Sequence, residues 1–169
     1  MKPEDKQLLL ADFCARLPYR IIGAVSHYDE DGEEVLLQGK ITGFNKWQIK
    51  FEYLPDCTDD IGAYNWFDID LVKPYLRPMS SMTEEEARDI AILHGNEPVD
   101  ILSIKVTDEY IDIILDDGCC STITSTIWYD EIISSVKCFD YLNKKMFDFR
   151  GLIPKDLALS TEIYNPYKD

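Results

Sequence analysis

Trp47-Gln48-Ile49-Lys50-Phe51-Glu52-Tyr53 alternates large apolar and polar side chains at every step. A period of two puts Trp47, Ile49, Phe51 and Tyr53 on one side of an extended chain and Gln48, Lys50 and Glu52 on the other. The stretch predicts a strand with one buried and one wet face, the pattern of an antiparallel sheet. Upstream, residues 19–26 and 35–44 predict two further strands, joined by the turn Asp29-Glu30-Asp31-Gly32, with Gly39 and Gly43 as bend points. Asn45-Lys46 turns the chain into the alternating stretch. Downstream, residues 55–65 read as a loop carrying Asp56, Asp59 and Asp60. Phe67, Ile69 and Leu71 then alternate with Asp68 and Asp70 in another strand. Short, bent strands in this number predict a small SH3-like barrel or a curled antiparallel sheet.

Outside this β unit the period changes. Leu10, Phe13, Cys14 and Leu17 recur at helical spacing, so residues 3–17 predict an N-terminal helix that Pro18 ends. Two prolines make residues 74–82 a connector rather than helix or central strand. Thr83 and Glu86 form a capping box opening a helix over 83–94, whose inner stripe is Ala87, Ile90, Ala91 and His94 and whose stop is Gly95. Residues 99–129 predict a second antiparallel β-meander, with Leu102, Ile104 and Val106 on one side of its first strand and Ile111, Ile113 and Leu115 facing one way in the next. A third helix is expected over 131–146, capped by Asp130, with Ile132, Val136, Phe139 and Met146 near one face. Phe147, Phe149, Leu152, Ile153, Leu157 and Leu159 crowd the tail, so residues 147–159 are expected to pack rather than dangle. The fold class is α+β. A helix with a barrel-like unit occupies residues 1–78, and helix, meander, helix and packed tail occupy 79–169, as one compact unit overall.

Of the chain's 169 residues, 17 are Lys or Arg and 32 are Asp or Glu, a formal net charge of −15. Residues 1–78 hold 9 basic and 14 acidic side chains, and residues 79–169 hold 8 and 18. Such a field repels phosphate backbones, so no direct contact with nucleic acid is expected, and it attracts basic surfaces. No apolar run reaches the roughly 18 residues of a membrane span, and the first residues lack a secretory pattern. The expectation is a cytoplasmic protein with no membrane contact. Its five cysteines, Cys14, Cys57, Cys119, Cys120 and Cys138, then read as reduced thiols.

The residue pattern offers little chemistry. His27 and His94, the two histidines, stand at no ligand spacing with Cys, Asp or Glu, so neither metal nor cofactor is expected. Asp68/Asp70 and Asp116/Asp117 are the best carboxylate pairs, but they fall on a wet strand face and in a turn. No phosphate-cradling glycine loop and no G-x-S-x-G occurs. No catalytic residue is assigned, and the reading leans away from an enzyme. The nearest approach to a binding cluster is Lys73-Pro74-Tyr75-Leu76-Arg77, which makes Tyr75 and Arg77 candidate binding residues against a structural reading in which Tyr75 packs and Arg77 pairs with a carboxylate.

Three blocks carry a resemblance: Cys14-Ala15-Arg16-Leu17-Pro18-Tyr19; Lys73-Pro74-Tyr75-Leu76-Arg77-Pro78-Met79-Ser80-Ser81-Met82-Thr83-Glu84-Glu85-Glu86; and Tyr141-Leu142-Asn143-Lys144-Lys145-Met146-Phe147-Asp148-Phe149-Arg150-Gly151-Leu152-Ile153 with Leu157-Ala158-Leu159. Together they resemble an uncharacterised family of small proteins from phages, prophages and mobile elements of gut bacteria. The resemblance implies a genomic setting and action in the host cytoplasm, and transfers no activity. Within the last block, Phe149 and Arg150 form an aromatic–Arg pair of the kind that anchors interfaces, and they complete the candidate binding residues. The leading expectation is a non-enzymatic acidic interaction protein, regulatory or anti-defence, whose partner is a protein with a basic surface. The alternatives are a small hydrolase with a carboxylate or cysteine site, and a nucleic-acid-binding small barrel.

Overall fold

A computed structural model describes residues 1–28, 33–45, 47–53, 64–97, 101–108, 110–124 and 132–167. The turn expected at 29–32, most of the 55–65 loop and the Asp130 cap lie outside them. The chain is α+β and forms two compact units, Met1–Leu76 with Leu152–Asp169, and Arg77–Gly151.

The first unit opens with helix α1 (Pro3–Arg16), followed by a short 3-10 turn over Leu17–Tyr19. Its buried stripe is Leu9, Asp12, Phe13 and Arg16, not the expected Leu10, Phe13, Cys14 and Leu17. Hydrophobicity alone missed this face because a charged pair lies on it. Arg16 Nε donates to both Asp12 carboxylate oxygens at 2.8 Å, one helical turn apart, and both side chains are fully buried. The pairing lets two charges enter the interior that neither could enter alone.

The sheet of this unit contains β1 (Ile22–Tyr28), β2 (Glu34–Phe44), β3 (Gln48–Tyr53), β4 (Tyr64–Asp68), β5 (Val72–Leu76) and the two-residue β9 (Leu159–Ser160), in the order β4-β3-β2-β1-β5-β9. It is an open sheet, antiparallel except where β9 joins β5 in parallel, so the expected barrel does not form. Closure fails because β5 takes β9 as its outer neighbour rather than turning back to β4. Ile49, Phe51 and Tyr53 are buried as their alternation predicts, and the Phe51, Tyr53 and Phe67 rings meet edge-on at 5.5–6.3 Å. Trp47 instead precedes the strand and is 59% exposed, because Asn45 Oδ1 accepts from the Trp47 and Gln48 amides and turns the chain there. Gly39 has no room for a side chain, since a Cβ would lie 2.5 Å from the Glu52 carbonyl oxygen and against the Phe51 ring.

Two expectations near β5 are overturned. Residues 69–71 form a 3-10 turn rather than a strand, burying Ile69 and leaving Leu71 exposed. Pro74 lies inside β5, in the sheet, rather than in a connector. The strand tolerates it because β9 pairs only with Tyr75 and Leu76, so at Pro74 the ladder has one partner, Gly23 of β1.

The second unit packs helix α2 (Glu84–Leu93) and helix α3 (Ile132–Lys144) with the meander β6 (Ile101–Val106), β7 (Tyr110–Leu115) and β8 (Cys120–Thr124). One core holds Ile90, Ile111, Ile113, Cys138, Leu142 and Phe147. The α2 capping box forms as expected: the Glu86 amide donates to Thr83 Oγ1 and the Thr83 amide to Glu86 Oε2. Leu102 departs from its expected stripe and is 68% exposed, because a bulge between Ile101 and Ser103 shifts the register and turns Ile101 inward. On α3 the buried positions are Cys138 and Leu142, with Phe139 partly covered; of the expected face, Phe139 and Met146 face inward, while Val136 is corrected, being 61% exposed.

Candidate functional site

The four residues selected from sequence fall into three settings. Tyr75 belongs to the first unit. It is 4% exposed, its hydroxyl accepts from Gln38 Nε2 at 3.2 Å, and its ring lies 5.7 Å from that of Tyr164. It is a packing residue whose edge reaches a wet sheet face.

Arg77 lies in the second unit, where the connector meets α2. Its guanidinium donates to both Glu86 oxygens at 2.8 and 2.9 Å and to the Ser81 carbonyl at 3.2 Å, with its carbon 4.2 Å from the Phe147 ring centre. Lys145 Nζ stands 3.6 Å from Glu86. Burial opposes ionisation of Glu86, but the Arg77 bonds, the Thr83 amide and the charges of Arg77 and Lys145 outweigh it and bring its pKa down to about 2. The main chain doubles the joint: the Arg77 amide donates to Met146 O at 2.8 Å, and the Asp148 amide to Arg77 O at 2.7 Å. Bidentate geometry, stacking and two main-chain bonds make Arg77 a clamp between the connector and the end of α3.

Phe149 and Arg150 form the third setting. The Arg150 guanidinium lies 4.1 Å from its neighbour's ring centre and donates to Asn143 Oδ1 at 3.1 Å, while the Phe149 and Phe139 rings stand 5.3 Å apart. Val136, Phe139 and Asn143 share one stripe of α3 by helical spacing, so this stacked pair borders the exposed Val136. Of the four, Phe149 and Arg150 come closest to an interface anchor.

The described residues contain no group of three or more His, Cys, Asp and Glu that could hold a metal. Asp68, Asp70, Asp116 and Asp117 are exposed. Cys14 and Cys119 are exposed thiols, while burial pushes the Cys138 thiol up to about 11. An open cleft of about 500 Å³ in the first unit mixes Lys2, Lys73 and Lys155 with Asp5, Asp70 and Asp156. Lys73 and Asp156 already pair across it at 2.6 Å.

Three features escaped the sequence reading. Glu86 was read as a cap and not as the partner of Arg77, although the spacing of nine residues across a Pro-Met-Ser-Ser connector left that open. Trp66 is 48% exposed on the face of β4 that follows Lys50 rather than Ile49. Tyr164 and Tyr167 lie in a stretch without any period to signal a role. No family model matches this chain, and no curated protein or solved structure matches it. Among the described residues no helix is long and apolar enough to cross a membrane.

Proposed function

We propose that this chain is a non-enzymatic interaction protein of a phage or mobile element, acting in the host cytoplasm on a protein with a basic surface, in a regulatory or anti-defence setting. One observation carries the reading: the negative charge belongs to both units. Met1–Leu76 with Leu152–Asp169 holds 10 basic and 17 acidic side chains, net −7, and Arg77–Gly151 holds 7 and 15, net −8. Two of the five arginines add little outward positive charge, since Arg16 is buried on Asp12 and Arg77 is locked on Glu86. Glu84, Glu85, Asp89, Asp108, Asp116, Asp117 and Asp140 are exposed on the second unit. A surface of this sign accelerates encounter with basic partners and repels polyanions. The genomic setting rests on the three-block resemblance.

The test is retention from a gut-bacterial lysate by the immobilised chain at low and high salt, with and without nuclease. The expected result is a specific protein bound at low salt, released at high salt and indifferent to nuclease. No specific protein under either condition overturns the reading. Loss of retention on nuclease treatment favours the nucleic-acid alternative instead.

A further inference from the structure

The C-terminal segment is attached to the first unit in an unusual way. Strand β9 pairs in parallel with β5 at only two positions, Tyr75↔Leu159 and Leu76↔Ser160, and the Thr161 amide adds one bond to Leu76 O at 2.9 Å. Beyond that point, attachment passes to two aromatic side chains. Tyr164 lies against Tyr75 and is half exposed, Ile163 beside it is 89% exposed, and Tyr167 is partly buried.

Tyr167 occupies a specific place. The β1–β5 ladder runs Val25↔Val72, Ala24↔Lys73, Gly23↔Pro74 and there stops. The next position would set Ile22 opposite Tyr75. Instead, the Ile22 amide donates to the Tyr167 hydroxyl at 3.1 Å, and that hydroxyl donates to the Tyr75 carbonyl at 3.0 Å, with Ile22 O a second acceptor at 3.4 Å. A phenol therefore bridges the donor and acceptor of a ladder position. Around it, Ile22, Ala24 and Tyr75 form a small buried cluster whose partly buried neighbours are Leu159 and Tyr167.

These contacts make two states available. With the segment in place, Tyr167 satisfies the open ladder position and covers the cluster. With it lifted, the Ile22 amide and the Tyr75 and Leu76 carbonyls exchange these partners for water, and an apolar sheet face is uncovered. Elements held by few main-chain bonds open below the threshold of global unfolding. Burial holds the Tyr167 pKa up at about 12, so the hydroxyl remains a neutral donor at physiological pH.

We infer that residues 159–167 are a strap that opens while the rest of the first unit stays folded, and that the Ile22–Ala24–Tyr75 face beneath it docks an extended, aromatic-bearing protein segment of the strap's own chemistry. The strap itself shows what the face accepts: a short stretch of main chain beside β5, then two tyrosines reaching back over the sheet. This inference rests on the interaction reading above and names where such a protein would take hold.

The test uses the full chain. Hydrogen exchange read residue by residue should show the Ile22 and Thr161 amides opening far more readily than amides of the β2–β3 ladder. The variant Tyr167→Phe should speed Ile22 and Thr161 further and leave β2–β3 unchanged. A fluorescent synthetic peptide with the sequence of residues 157–169 should bind that variant about tenfold more tightly than the wild type, because apparent affinity scales with the fraction of open face. Exchange of Ile22 and Thr161 only together with β2–β3 in the wild type would overturn the strap, whatever the variant does. Equal peptide affinity for both proteins would overturn the docking face. A lysate partner held equally by wild type and variant would sink the strap and leave the interaction reading standing. Opening and peptide uptake without any lysate partner would do the reverse.

Discussion

Arg77 and Glu86 concentrate the electrostatics of the second unit in one joint. The Glu86 side chain is 13% exposed, so its bonds to Arg77 are shielded from solvent. Its folded pKa of about 2 lies below the ordinary 4.5, so the ionised form is the one the fold favours. The stability this contributes is complete above pH 4.5 and is lost as pH falls through about 2. Glu86→Gln keeps the shape and removes the charge, and is expected to cost about 2 kcal/mol at neutral pH, the scale of a charge-assisted hydrogen bond. Urea unfolding of both proteins from pH 2 to 7 checks it: the difference should shrink towards the acid end. A difference that does not change with pH would mean that the charge is not what the joint uses.

Among the elements, α2 and α3 end in the same way by different means. After α2, the Gly95 amide donates to Ile92 O and the Asn96 amide to Ala91 O, with Gly95 at φ +109°. After α3, the Met146 amide donates to Asn143 O and the Phe147 amide to Leu142 O, with Met146 at φ +59°. Both are Schellman turns, and a left-handed backbone suits glycine far better than methionine. Met146 holds the conformation because it is 4% exposed, wedged beside the fully buried Phe147, whose strand-like bridge to Arg77 pins the chain. The packing face of α3 gives a direct check. Leu142→Ala should cost about 2–5 kcal/mol, while Val136→Ala should stay within about 0.5 kcal/mol. Comparable losses at the two positions, read from urea midpoints, would mean that α3 is rotated from the face described.

At the scale of the whole molecule, the chain leaves its first unit at Leu76 and returns to it at Leu152. The expected packing of residues 147–159 therefore divides: Phe147 and Phe149 complete the core of the second unit, and Leu152, Leu157 and Ala158 are buried in the first. Truncation before Asp148 removes Leu152 and Leu157, each contributing roughly 1.5–3 kcal/mol of burial, together with β9 and the Asp148–Arg77 bond. The truncated chain should melt at least about 5 °C lower or aggregate. An unchanged melting temperature by differential scanning calorimetry would show that the first unit does not depend on its returning segment.

What the amino-acid sequence settled alone was local. Period two in Ile49, Phe51 and Tyr53, the Thr83–Glu86 capping box, the Gly95 stop and the alternation of Ile111 and Ile113 each depend on a few neighbouring residues, and each stands in the fold. What failed were judgements of which side faces inward. Trp47 and Leu102 were assigned by pattern and turned out by an Asx turn and a bulge. The α1 stripe was misread because Asp12 and Arg16 look like surface residues until they are seen to neutralise each other. Pro74 was kept out of the sheet because sequence does not show that its strand has one partner at that point. The candidate residues divide along the same line: Arg77 needed Glu86, Arg150 needed Asn143 on α3, and the gap beside Ile22 needed a tyrosine from position 167. Spacing within a segment is written in covalent order, whereas the partner of a buried charge or an unpaired amide is chosen by proximity, which only the folded chain creates.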